Sequence, residues 1–75
     1  MASPMLEEVQ PGWRVYAGPD EVGTVSDARE HEIDVSRRTL FRHTYRVPEA
    51  FVKDADDGVV DLLIDKPTFE DLEVR

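Results

Sequence analysis

Apolar side chains fall at alternate positions in residues 13–17, 33–35 and 41–47, two further short stretches at 21–28 and 59–65 are rich in Val and Leu, and turn-forming Gly, Pro and Asp or the Arg37-Arg38 pair separate most of these segments. A period of two puts successive side chains on opposite faces of a strand, so the pattern selects β structure over helix. Residues 13–17 (WRVYA) set Trp13 and Val15 on one face and Arg14 and Tyr16 on the other. Trp13 is expected at least half-buried, with Tyr16 outside. The Ala-Gly-Pro-Asp of 17–20 is a turn by composition, since Gly relaxes φ and Pro fixes it. Residues 21–28 follow as a second strand with Gly23 in its interior. A strand glycine marks a bulge, a sharp bend or close approach of another backbone, and bends of that kind are what a small barrel needs to close.

A third strand spans residues 29–36, with Ile33 and Val35 on one face and Asp34 on the other, and a fourth spans 39–47. In the fourth, Phe41, His43, Tyr45 and Val47 share a face, while Leu40, Arg42, Thr44 and Arg46 share the opposite one. Pro48 ends the strand because it has no N–H for the ladder. A single turn at 48–52 brings Phe51 and Val52 into the core, 54–58 (DADDG) is a polar turn, and 59–65 (VVDLLID) is the most apolar strand. Thr68 with Asp71 three residues on suggests a capping box for a short terminal helix carrying Phe69 and Leu72. Ser3 and Pro4 suit the start of one helical turn. The expected fold is all-β: a small, strongly bent antiparallel barrel of five or six strands with a short C-terminal helix. One domain covers residues 1–75, with 1–5 and 74–75 as frayed ends.

The 75 residues contain no Cys, which removes disulfides, thiolate chemistry and Cys-based zinc sites. The opening residues lack the basic start and apolar core of a signal peptide, and no apolar run approaches the length of a membrane helix. The expectation is a soluble, cytoplasmic protein. Its net charge of -8 repels phosphates at long range. The cations are seven Arg and two Lys. That bias fits a GC-rich genome, a reading favoured over adaptation to high salt.

Against this acidic background, Arg37, Arg38, Arg42 and Arg46 fall within ten residues, and 35–48 holds no carboxylate. Together with Tyr16 they are the candidate interaction surface. In one reading they form a basic stripe with Phe41 or Tyr45 as stacking ring, suited to phosphates and bases. In the other, favoured, reading they are counter-charges to Glu30, Glu32 and Asp34 on the strand before.

Catalytic and metal chemistry find little footing. Residues 54–65 resemble a Ca²⁺ loop, but Gly58 falls at its fifth position rather than its sixth and Asp65 replaces the twelfth-position Glu. His31 has acidic neighbours but no Ser, Cys or second His to complete a triad or ligand set, and His43 reads as a packed, hydrogen-bonded side chain. The four glycines match no phosphate-cradling spacing. No cofactor, metal or small-molecule substrate is expected.

Three segments, in order, resemble the PRC-barrel family. The first is carried by Gly12, Val15, Asp20, Val22, Gly23, Val25 and Asp27; the second by Tyr45, Val47 and Pro48 with Phe51 and Val52 after them; the third by Asp56, Asp57, Val60 and Leu62, followed by a short helix. The resemblance spans roughly residues 9–72. Relatives of that kind include the cytoplasmic domain of the photosynthetic reaction-centre H subunit and the C-terminal domain of a ribosome maturation factor. The chain looks like the stand-alone bacterial or archaeal type, without the membrane helix of the first or the N-terminal domain of the second. The resemblance implies a packed β-barrel acting as a contact module, with no shared catalytic residues. The leading expectation is a non-enzymatic module that self-associates or docks on another protein. The alternative is an RNA- or ribosome-associated factor using the arginine strand.

Overall fold

The computed structural model describes residues 8–38 and 40–74. Seven strands, β1 (Arg14–Ala17), β2 (Asp20–Ala28), β3 (Glu32–Arg38), β4 (Arg42–Pro48), β5 (Val52–Asp56), β6 (Val59–Leu62) and β7 (Glu73–Val74), form one sheet. A 3-10 turn (Glu49–Phe51) leads into β5, and helix α1 (Lys66–Glu70) precedes β7. The order across the sheet is β5-β6-β1-β2-β3-β4-β7. Every neighbouring pair is antiparallel except β1 and β6, which run parallel.

The all-β class and the short C-terminal helix stand; closure does not. β5 and β7 end the strand order without pairing to one another, so the sheet is open rather than a closed barrel, and it has seven strands where five or six were expected. It is nonetheless strongly curved. A flat sheet would be one strand thick, whereas the molecule measures 39 by 21 by 21 Å and is no thinner than 21 Å in any direction. The curvature lets one face bury a single apolar cluster drawn from β1 to β6 and α1.

Three register shifts bend the sheet. In β1–β2, Val15 faces Gly23 and Tyr16 faces Glu21, which leaves Val22 as the extra residue. In β2–β3, Val25 faces Val35 and Asp27 faces Asp34, leaving Ser26 over. In β5–β6, Lys53 is skipped between Val52 and Asp54. An extra residue kinks its strand and raises the local twist. It also resets the alternation, which is why Val22 and Val25, three apart, are both buried, and why Ala55 packs on the core beside buried Val52. At Gly23 the bulge combines with close backbone approach: a Cβ there would lie 2.5 Å from the Ser36 carbonyl oxygen and 2.9 Å from Val35 Cγ1.

Further corrections concern boundaries. The acidic 54–56 segment belongs to β5 rather than to a turn, because an edge strand needs only one apolar side and its exposed positions take charge readily. β6 stops at Leu62, leaving Leu63 exposed. β4 begins at Arg42, so Leu40 and Phe41 lie outside it. Val74, expected to fray, pairs with Thr44. The helix is capped by Asp65 rather than Thr68: the Asp65 carboxylate accepts a hydrogen bond from the Thr68 amide at 3.1 Å, and Pro67 lies in the first turn. Hydrogen bonding first from the Thr68 side chain and then from its amide holds the Asp65 carboxyl below its ordinary value. The Ser3-Pro4 turn lies outside the described residues.

The short helix closes one end of the curved sheet. Phe69 is fully buried, and its ring meets that of Tyr45 at 4.3 Å between centroids. Burying a phenylalanine of this kind contributes about 1.5–3 kcal/mol. Trp13, Phe51, Ile64 and Leu72 pack around the margin, Trp13 half-buried as its alternation predicts.

Candidate interaction surface

The β3–β4 register sorts the arginines. On the inner face the opposed pairs run Ile33 with Val47, Val35 with Tyr45, and Arg37 with His43. On the outer face they run Asp34 with Arg46, Ser36 with Thr44, and Arg38 with Arg42. Both ladders pass from buried or neutralised residues at the root of the hairpin to charged residues at its tip.

At the root, the outer face carries an ion network. Arg46 Nε lies 3.3 Å from Asp34 and 3.4 Å from Glu32. Arg29 reaches Glu32 at 2.7 Å, Asp34 at 3.1 Å and Asp27 at 3.6 Å. Its guanidinium is held above its ordinary value, first by the hydrogen bond to Glu32 and then by the charge of Asp34. Asp34, on the outer face as expected, is only 8% exposed beneath these two side chains. Arg46 is thus a counter-charge to the preceding strand.

Arg37 is half-buried on the inner face and pairs at 3.1 Å with Glu70 of α1, rather than with the preceding strand. Opposite it, His43 Nδ1 lies 2.5 Å from Glu73 of β7. These four residues and Tyr45 line a cleft of about 330 Å³. Arg37 and His43 each already hold a carboxylate, and no Ser, Thr or Cys lies among the cleft's lining residues to act as a nucleophile. The pairs tie α1 and β7 to the hairpin. The sequence could not reveal Glu70 and Glu73 as partners, because each lies at least 30 positions downstream. His31, at the other end of the hairpin, contacts Glu30 and Glu49 at 3.0 Å each, and its imidazole titrates above the ordinary range, chiefly through the Glu49 hydrogen bond.

Arg38 and Arg42 differ from the other two. They face each other across the hairpin, and neither makes a side-chain ion pair among the described residues. Between them in the chain, Leu40 is 87% and Phe41 68% exposed. This part of the hairpin also outruns its neighbours. β2 pairs with β3 only as far as Thr24 opposite Ser36, then turns away at Gly23 to follow β1. β7 pairs with β4 only at Thr44 and Tyr45. Arg37, Arg38, Arg42 and His43 therefore form an arm with no strand paired to either outer edge among the described residues. Where β2 leaves, a shallow groove of about 360 Å³ opens beside Arg38, lined by Thr24 and Ser36 with Gly23 between the strands.

Tyr16 sits apart from the arm. It is half-buried on the outer face of β1, opposite Glu21 and Asp61, with β2 and β3 between it and β4. Among the described residues no group of three His, Cys, Asp or Glu side chains is arranged to hold a metal ion, and no helix is long and apolar enough to cross a membrane. No family model, curated protein or solved structure matches the chain.

Proposed function

We propose that this domain is a non-enzymatic contact module that docks on a protein surface through the β3–β4 arm. The observation that carries the reading is the pairing of Arg38 with Arg42 beside exposed Leu40 and Phe41. Like charges directly opposite in a sheet are destabilising. The isolated fold bears that cost, and a carboxylate-bearing partner removes it. Arginine and aromatic side chains supply much of the binding energy at protein interfaces. Their position on an arm without lateral strand partners makes them accessible from several sides.

The docking surface is smaller than the sequence stripe. Arg46 and Arg37 are already engaged with carboxylates, which leaves Arg38 and Arg42. The same count weakens an RNA reading: two phosphate contacts give a log-affinity slope against log salt of only about -1.4 on a single strand. The test is capture from native extract, with and without nuclease, comparing the parent protein with the Arg38→Glu/Arg42→Glu variant. Protein capture that survives nuclease and is lost in the variant supports docking. Capture abolished by nuclease establishes RNA instead, and capture unaffected by the variant removes the arm from the interface.

A further inference from the structure

Besides the arm, the end of the open sheet at β5 has no strand on its outer side among the described residues, and its net charge is opposite to that of the arm. Among the described residues, β5 ends the strand order and pairs only with β6. The Lys53 bulge turns Val52 and Ala55 toward the core and leaves Asp54 and Asp56 exposed. Neither aspartate makes an ion pair among the described residues; Asp54 accepts a hydrogen bond from the neighbouring Ala55 amide. Asp57, in the adjoining turn, adds a third exposed carboxylate.

Like cannot meet like on either edge. Two β5 edges, each with Asp54 and Asp56 against a single Lys53, would meet with net like charge, and two arms would oppose arginine pairs, each an unfavourable arrangement. The cross pairing has the reverse sign. It sets the arginine of whichever arm strand it joins, Arg38 of β3 or Arg42 of β4, beside Asp54 and Asp56, with the other arginine one strand away, and it covers an unpaired strand edge on each partner. Resting on the docking reading above, we infer that the occupant of the arm is the β5 edge of a second copy of this chain, in a head-to-tail contact. Such a contact uses a different patch on each copy, so every dimer keeps one free arm and one free β5 edge, and association continues into rings or short filaments. The charges that turn away a second β5 strand select a basic one. The net charge of -8 opposes association at a distance, but at about 0.15 M salt that repulsion is screened beyond about 8 Å, while contacting pairs persist.

Sedimentation velocity on the full chain tests this, using two variants and their mixture. Arg38→Glu/Arg42→Glu reverses the arm, and Asp54→Lys/Asp56→Lys reverses the edge; all four positions are exposed, and thermal melting of each variant checks its fold. The parent protein is expected to shift to larger species with rising concentration. Each variant alone is expected to be weakened at least about tenfold in self-association, and an equimolar mixture of the two regains it, because every reversed arm then meets a reversed edge. A parent that stays monomeric, variants that associate as it does, or a mixture that stays monomeric overturns the proposal. Should the parent stay monomeric while arm-dependent capture from extract persists, docking survives and only the identity of the partner falls; loss of both removes the docking reading as well.

Discussion

Replacing Gly23 by alanine tests the bend that frees the arm. The new Cβ would lie 2.5 Å from the Ser36 carbonyl oxygen, below the 3.0 Å that real Cβ contacts respect, so β2 and β3 must part by at least half an ångström. The obstacle is backbone, and no rotamer change relieves it. The displaced residue adjoins Thr24 opposite Ser36, the last β2–β3 pair before the strands diverge. Overpacking of this kind costs about 1–3 kcal/mol. The φ of 156° at Gly23, outside the range side-chain-bearing residues favour, adds strain of about 1–3 kcal/mol. The sum, about 2–6 kcal/mol, is comparable with the whole stability of a domain this small, about 5 kcal/mol at the low end. At roughly 4–8 °C per kcal/mol for a domain of this size, Tm should fall by at least about 8 °C. Gly18→Ala is the control. Its φ is 64° and its Cβ would meet nothing within 4 Å, so it costs only the left-handed conformation, about 1 kcal/mol. Chemical and thermal denaturation followed by circular dichroism give both values. A Gly23→Ala variant no less stable than Gly18→Ala would refute the close-approach argument.

Phe69→Ala should cost about 3–5 kcal/mol, since the ring is fully buried against Tyr45; a urea midpoint within error of the parent would mean that α1 does not close the sheet. Arg29 and Arg46 share Asp34 and Glu32, so a double-mutant cycle of Arg29→Ala and Arg46→Ala should lose more stability together than the two singles predict, because the buried Asp34 carboxylate keeps one partner in each single variant and none in the double; strict additivity would argue against a shared network. His31 titrates above its ordinary value, the hydrogen bond to Glu49 being the largest cause, so its contribution is full below about pH 6.5 and is lost as pH rises through the folded-state value. His31→Ala should flatten the decline in Tm over that window, and a parent Tm that rises across it would contradict the sign.

Strands β1, β3 and β4 could be read from alternation because each has one buried side: Val15 and Ala17, Ile33 and Val35, Tyr45 and Val47 keep strict spacing. β5 was hidden because Asp54 and Asp56, at its exposed positions, read with Asp57 and Gly58 as a polar turn. The parallel β1–β6 pairing joins segments more than 40 positions apart, and nothing in local spacing reports such a neighbour. Closure was inferred from bends, and the bends are there; they curl the sheet without joining β5 to β7, an outcome set by tertiary packing of the two edges. Asp65 and Thr68 are both good caps, and Pro67 in the first turn decided between them. Within the arginine stripe, Arg46 was legible as a cross-strand counter-charge. The separate fates of Arg37, Arg38 and Arg42 were not, because they depend on where β2 and β7 stop.

Residue-resolved hydrogen exchange tests the arm most directly. The account predicts that amides of Arg37, Arg38, Arg42 and His43 exchange much faster than those of Ile33, Val35, Tyr45 and Val47, and that at high protein concentration exchange slows at the arm and along β5 together. Protection at the arm equal to that of the core, or slowing confined to the cleft beside Glu70 and Glu73, would contradict it.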